Sequence, residues 1–86
     1  MKKRTQKEID AEIKWLTEHK QRIPQIDDFG DNNHRIIDAV IQVLQGKLKL
    51  ADINNGNCRK NAQHTLDWMA GTENVSPSQN WTPLVK

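Results

Sequence analysis

Apolar residues recur at helical spacing in three separate segments of this chain. The first set consists of Ile9, Ile13, Leu16 and Ile23. Thr5 and Glu8 precede it in the pattern of a capping box, in which a hydroxyl and a carboxylate satisfy free backbone N–H groups. Pro24 limits the helix, because the residue before a proline avoids helical backbone angles. The pattern therefore predicts a first helix from about residue 6 to residue 20.

The second segment carries more apolar surface than a helix with one buried face needs. One stripe consists of Ile37, Val40, Ile41, Leu44 and Leu48, and a second consists of Ile36, Val43 and Leu50. They predict a helix from about His34 to residue 49, preceded by an ordered connector over residues 22–33. Candidate N-caps are Asp31, Asn32 and Asn33. Because apolar residues cover more than half of its circumference, we expect this helix to pack on helix 1 and on either a third helix or another chain.

The third segment follows a loop rich in asparagine and predicts a helix over residues 57–70, with Gly71 as its C-terminal stop. Its predicted inward residues are Cys58, Ala62, Leu66 and Met69, with Trp68 beside them. In the polar tail that follows, Ser76 and Pro77 are typical of a helix start. The tail residues spaced to dock on a groove are Trp81, Leu84 and Val85.

These patterns predict an all-α protein. We expect a small three-helix domain over residues 1–71, made of a helical hairpin plus a third helix. The C-terminal tail, residues 72–86, is expected to contain a short helical turn and to be able to dock. No segment shows the strict alternation of a half-buried strand, and no apolar run approaches the roughly 20 residues that span a membrane.

Composition narrows the functional classes. The chain has 86 residues, of which 13 are basic and 11 acidic, and this size leaves little room for an enclosed active site. Cys58 is the only cysteine, so no internal disulfide can form, and we expect a reducing, cytoplasmic setting. No histidine or cysteine pair has the spacing of metal ligands, and no nucleophile has a neighbouring base. We therefore predict a protein that is not an enzyme and carries no metal and no cofactor.

The densest polar cluster lies at the predicted start of helix 2. His34 and Asp38 would share one helix face. One interpretation is structural: an aspartate or asparagine caps the helix while Asp38 holds the His34 ring. The other is contact with a protein partner, with Trp81 as an anchor, because tryptophan is enriched at binding hot spots. The candidate partner-binding residues are Asp28, Phe29, Asp31, Asn33, His34, Arg35, Asp38 and Trp81.

A second candidate surface is basic and rich in amides. Its residues are Lys47, Lys49, Arg59, Lys60, Asn61 and Gln63. They are either solvated loop and helix residues or contacts to phosphates and bases of nucleic acid. The net charge of only +2 argues against tight binding of duplex DNA.

Two stretches of the chain form a distinctive pattern: Phe29-Gly30-Asp31-Asn32-Asn33-His34, and Ile37-Asp38-Ala39 continued by Ile41, Val43 and Leu44. In these stretches the chain resembles a family of small uncharacterised phage and prophage proteins. The C-terminal part is also similar, with Trp68 near a helix end and then Ser76, Trp81 and Leu84. The chain departs from the pattern over residues 50–60, where members of the family tend to be acidic. The resemblance implies a phage accessory protein without established catalytic residues.

Three functions follow as hypotheses. The first is a non-enzymatic accessory protein that binds and inhibits or modulates a host protein or complex, including an antiviral-defence component such as a CRISPR effector. The second is a nucleic-acid-binding module that uses the amide-rich and basic start of helix 3. The third is a small-ligand binder formed between subunits of a homo-oligomer, with His34 and Arg35 as contacts.

Overall fold

A computed structural model describes residues 2–24 and 28–81, apart from the side chains of Phe29, Asn80 and Trp81. The elements of the described residues are α1 (Gln6–Arg22), α2 (Asp28–Leu44), a 3-10 helix (Leu50–Asp52), α3 (Gly56–Ala70) and α4 (Pro77–Trp81). The prediction of a small all-α protein with three main helices is confirmed. Within the described ranges, none of the helices combines the length and the apolar character that a membrane span requires.

The start of α1 is fixed by the predicted capping box. The Thr5 hydroxyl accepts a hydrogen bond from the Glu8 backbone N–H at 3.2 Å, and the Glu8 carboxylate accepts one from the Thr5 N–H at 3.1 Å. These bonds from Thr5 lower the pKa of Glu8 below its usual value. The helix continues to Arg22, slightly beyond the predicted end, and stops at Ile23 directly before Pro24.

Both predicted ends of α2 are wrong. The helix begins at Asp28 instead of near His34, so the second half of the predicted connector is helical. Its C-terminus is at Leu44 because Gly46 adopts a φ of 74° in the left-handed region. The N–H groups of Gly46 and Lys47 then donate to the carbonyls of Val43 and Gln42, the paired bonds of a Schellman motif.

The hydrophobic core is built around α2, which packs against both α1 and α3. Its buried apolar residues are Ile36, Ile37, Ala39, Val40, Val43 and Leu44. Two polar contacts join α1 to α2: the Lys20 ammonium lies 2.5 Å from the Asp38 carboxylate, and the His34 ring donates to the Ile23 carbonyl. The residue that comes later in α2, Asp38, contacts the earlier residue of the first segment, Lys20, and His34 contacts the later residue, Ile23. The two helices are therefore antiparallel. The two apolar stripes of α2 thus find both of their partners within one chain.

The ends of α3 follow local signals. The Asn55 side chain caps it by accepting from the N–H groups of Asn57 and Cys58, at 2.9 and 3.1 Å. Gly71 ends it with a φ of 88°, as the sequence predicts. The buried side chains of α3 are Cys58, Ala62, Thr65 and Trp68. Leu66, predicted to face inward, is instead 37% exposed, because its neighbour Thr65 occupies the buried face of α3.

The N-terminal arm, which consists of the described residues 2–5 before α1, lies across the C-terminal end of α3. The backbone N–H of Arg4 donates to the Met69 carbonyl at 3.0 Å. The Arg4 guanidinium donates to the carbonyls of Trp68 and Glu73, at 3.0 and 2.8 Å, and lies 5.1 Å from the centre of the Trp68 ring. A cation bound to the last carbonyls of a helix also stabilises the negative end of the helix dipole.

The first part of the tail packs against the three-helix core, because α4 contacts both α1 and α3. Pro77 is almost completely buried. The Glu12 carboxylate of α1 accepts hydrogen bonds from the Ser78 N–H and the Ser78 hydroxyl, both at 2.9 Å. The docking role predicted for the Trp81 side chain, Leu84 and Val85 lies outside the described residues.

We expect Glu12→Ala to loosen α4, because it removes both acceptors that hold Ser78. The free energy of unfolding should fall by about 1–3 kcal/mol, and backbone amides of α4 should exchange hydrogen faster. The matched control is Glu18→Ala, which removes an exposed carboxylate from the same helix. Equal exchange rates in α4 for the two variants would contradict the role of Glu12.

Candidate nucleic-acid interface

The predicted cluster at the start of α2 divides into internal and exposed residues. Asn33 and His34 are buried, and the His34 Nε2 atom donates to the Ile23 carbonyl at 2.6 Å. Asp38 pairs with Lys20 rather than with His34, so the structural interpretation in which Asp38 holds the ring is wrong. The side chains of His34 and Asp38 thus join α2 to the C-terminal end of α1.

The other candidates on α2 lie at the surface. Asp28, Asp31 and Arg35 are exposed, whereas the side chain of Phe29 lies outside the described part of the chain. Arg35 is close enough to Cys58 for its charge to lower the pKa of the thiol, but burial has the larger effect and raises it. The Cys58 thiol therefore stays protonated and is a poor nucleophile.

The predicted basic residues all remain at the surface. Lys47 and Lys49 are exposed in the segment between α2 and the 3-10 helix, and Arg59 and Lys60 are exposed in the first turns of α3. None of these four cations forms an ion pair with a described residue. Their charges are therefore available to a ligand.

Four side chains of α3 line an open cavity of about 460 Å³, which we call the α3 cavity. They are Asn57, Lys60, Asn61 and His64. The positions follow one another by three, one and three residues and thus share one face of the helix. Lys60 and Asn61 were predicted as nucleic-acid contacts from their type. Asn57 and His64 were not, although their helical spacing from Lys60 and Asn61 was a usable signal.

Hydrogen bonds fix part of this lining. The Asn61 amide donates to the Asn57 backbone carbonyl at 2.8 Å, which holds that side chain against the helix. The His64 Nε2 atom lies 2.7 Å from the Val75 carbonyl. Because a carbonyl only accepts, Nε2 carries the proton and donates it. The bond ties the chain after α3 to the helix and leaves the Nδ1 atom of His64 without a described partner.

The stretch of sequence that supplies the lining of the α3 cavity is basic. No acidic residue occurs between Ile53 and Leu66, and this stretch contains Arg59 and Lys60. The N-terminal end of a helix contributes a further partial positive charge. The nearest acid downstream, Asp67, accepts a hydrogen bond from Gln63 on a neighbouring face. The lining can thus hold an anion by charge and amide hydrogen bonds.

The described residues contain no group of three histidine, cysteine or acidic side chains that could hold a metal ion. Comparison with protein-family models, with curated proteins and with solved structures finds no match to this chain.

Proposed function

We propose that this chain is a small, non-enzymatic binding protein of phage type that binds nucleic acid through the first half of α3. It would act in the cytoplasm of a bacterial host cell. The observation that carries the proposal is the α3 cavity, which Asn57, Lys60, Asn61 and His64 line without an acidic residue among them. Phosphate groups supply most of the affinity of such contacts, because lysine and arginine release bound counterions.

The distribution of charge favours single-stranded nucleic acid over duplex. A net charge of +2 is small for a protein that follows a long duplex. The basic residues of α3, Arg59 and Lys60, are adjacent in sequence. They can therefore contact only a short length of nucleic-acid backbone. The amides of Asn57 and Asn61 can bond to the edges of unpaired bases, which a duplex keeps paired.

The proposal predicts salt-dependent binding of a short fluorescent single-stranded DNA, measured by fluorescence anisotropy. The logarithm of the affinity should fall linearly with the logarithm of the salt concentration. Arg59→Ala and Lys60→Ala should each weaken binding and reduce the salt slope by roughly one. Lys14→Ala, which removes an exposed cation from α1, is the control and should keep the wild-type slope.

Two results would overturn the proposal. No change in anisotropy at low salt, with the protein in large excess, would show that the α3 surface does not bind single-stranded DNA. Equal losses from Lys14→Ala and Lys60→Ala would show attraction by overall charge instead of binding at α3.

A host protein is the second candidate partner. The observation that favours it is that Asp28 and Arg35 remain exposed on α2, directly beside the stretches that resemble phage and prophage proteins. A tagged protein should then capture a host protein or complex, such as an antiviral-defence component, from bacterial extract. Loss of that capture in Arg35→Glu but not in Lys14→Ala would support this partner. A small ligand held by His34 between subunits has less support, because the ring is buried and bonded to Ile23.

A further inference from the structure

We propose that the α3 cavity binds the terminal phosphate of a nucleotide or of a nucleic-acid end, an inference that rests on the proposed function. The proposal concerns the chemistry of the group bound, which is a phosphate monoester instead of an internal diester of the backbone. Its basis is the set of hydrogen-bond donors that Asn57, Lys60 and Asn61 bring to the cavity that they line together with His64.

These donors match a phosphate monoester in number and in charge. Lys60 offers three N–H donors, and the Asn57 amide offers two that no described residue uses. The Asn61 amide spends one of its two on the Asn57 carbonyl and keeps the other. The His64 Nε2 atom donates to the Val75 carbonyl, and its Nδ1 atom has no described partner.

The shape and the charge favour a terminal group. A terminal phosphate has three free oxygens and a charge near −2 at neutral pH, whereas an internal diester has two and a charge of −1. An open site with the charge of Lys60 and amide donors from Asn57 and Asn61 satisfies the extra oxygen and the extra charge. Among the described residues no acidic side chain lines the cavity. The nearby carboxylates of Asp67 and Glu73 accept hydrogen bonds from Gln63 and from the Val75 N–H.

The test compares oligonucleotides of one sequence that carry a 5′-phosphate, a 3′-phosphate or no terminal phosphate. The full chain should bind at least one phosphorylated form about tenfold more tightly than the unphosphorylated form, the effect of one charge-assisted hydrogen bond. Lys60→Met and Asn57→Ala should abolish this preference. Neither side chain bonds to another described residue, so both variants should fold, which circular dichroism verifies. Lys14→Ala should keep the preference.

A mononucleotide added as a competitor identifies the source of the phosphate. Displacement of the phosphorylated oligonucleotide by a mononucleotide would support a free nucleotide as the ligand, and its failure to displace would support a nucleic-acid end. Equal binding of the three oligonucleotides would overturn this inference and leave the proposed function standing. Absence of binding by all three would overturn both. A preference that survives Lys60→Met and Asn57→Ala would place the phosphate elsewhere and overturn the inference.

Discussion

Replacing Gly71 by alanine should lower the free energy of unfolding by about 3 kcal/mol. Gly71 has a φ of 88°, and a side chain in the left-handed region costs about 1–2 kcal/mol. A Cβ atom there would also lie 2.2 Å from the Lys2 carbonyl oxygen and 2.8 Å from the Lys2 carbonyl carbon. These are backbone atoms, so the arm itself must move. Its movement would weaken the hydrogen bonds of Arg4 to Trp68 and Glu73, each of which contributes about 1 kcal/mol.

Two other glycines of the chain provide matched controls. Gly46 has a φ of 74° but no atom within 4 Å of an added Cβ, so Gly46→Ala should cost only the left-handed penalty of about 1–2 kcal/mol. Gly56 lies in the first turn of α3, where nothing would contact the Cβ. Gly56→Ala should leave stability unchanged or raise it by up to about 1 kcal/mol. Urea denaturation of the three variants measures this order, and equal losses at Gly71 and Gly46 would contradict the contact with Lys2.

A double-mutant cycle separates the contact from the backbone conformation. If Gly71→Ala displaces the arm, then Arg4→Ala should cost less in that variant than in the wild-type protein. If the whole cost comes from the left-handed φ of residue 71, the two substitutions should be additive.

The sequence predicts those helix ends that local chemistry decides. The capping box of Thr5 and Glu8 fixes the start of α1, and Gly71 fixes the end of α3, because each involves residues within one turn. The C-terminus of α2 was mispredicted because Leu48 and Leu50 continue the apolar pattern beyond Gly46. Both leucines do pack against the core, but from the chain that follows α2 instead of from the helix.

The candidate site also combines features that local sequence reveals with features that depend on packing between elements. The residue types of Lys60 and Asn61 suggest phosphate and base contacts without a structure. The ring position of His64 depends on the Val75 carbonyl, which lies outside α3, and no periodicity predicts such a bond. The shared face of His34 and Asp38 is a sound inference from helical spacing. Their actual partners, Ile23 and Lys20, lie at the C-terminal end of α1 and are set by the packing of the two helices.

We expect His19→Leu to raise the free energy of unfolding at neutral pH by about 1 kcal/mol or more. The His19 side chain is 1% exposed, and neither ring nitrogen has a hydrogen-bond partner. Its only ring contact among the described residues is a stack on Trp15, with centroids 4.7 Å apart. A buried polar group without a partner costs about 1–3 kcal/mol, and leucine removes that cost while filling a similar volume.

The same burial should make the wild-type protein sensitive to acid. Burial, with a smaller contribution from the charge of Arg22, lowers the pKa of His19 below its ordinary 6.5. Below pH 6.5 the unfolded chain therefore binds a proton at this position that the folded chain does not. The stability that depends on a neutral His19 is complete above this pH and is lost as the pH falls toward the lower folded-state pKa. The slope of this loss is at most about 1.4 kcal/mol per pH unit.

Denaturant unfolding of the wild-type protein and His19→Leu at a series of pH values isolates this effect, because all other titrating groups are common to both. The difference in stability should be constant above neutral pH and should grow in favour of the variant below pH 6.5. His19→Gln separates the cost of burying a polar group from the effect of titration, since glutamine is polar but does not titrate. It should be less stable than His19→Leu throughout, because its amide is buried in the same place, and their difference should not change with pH. A constant difference between wild type and His19→Leu down to acidic pH would mean that the imidazolium finds an acceptor or solvent in the folded protein.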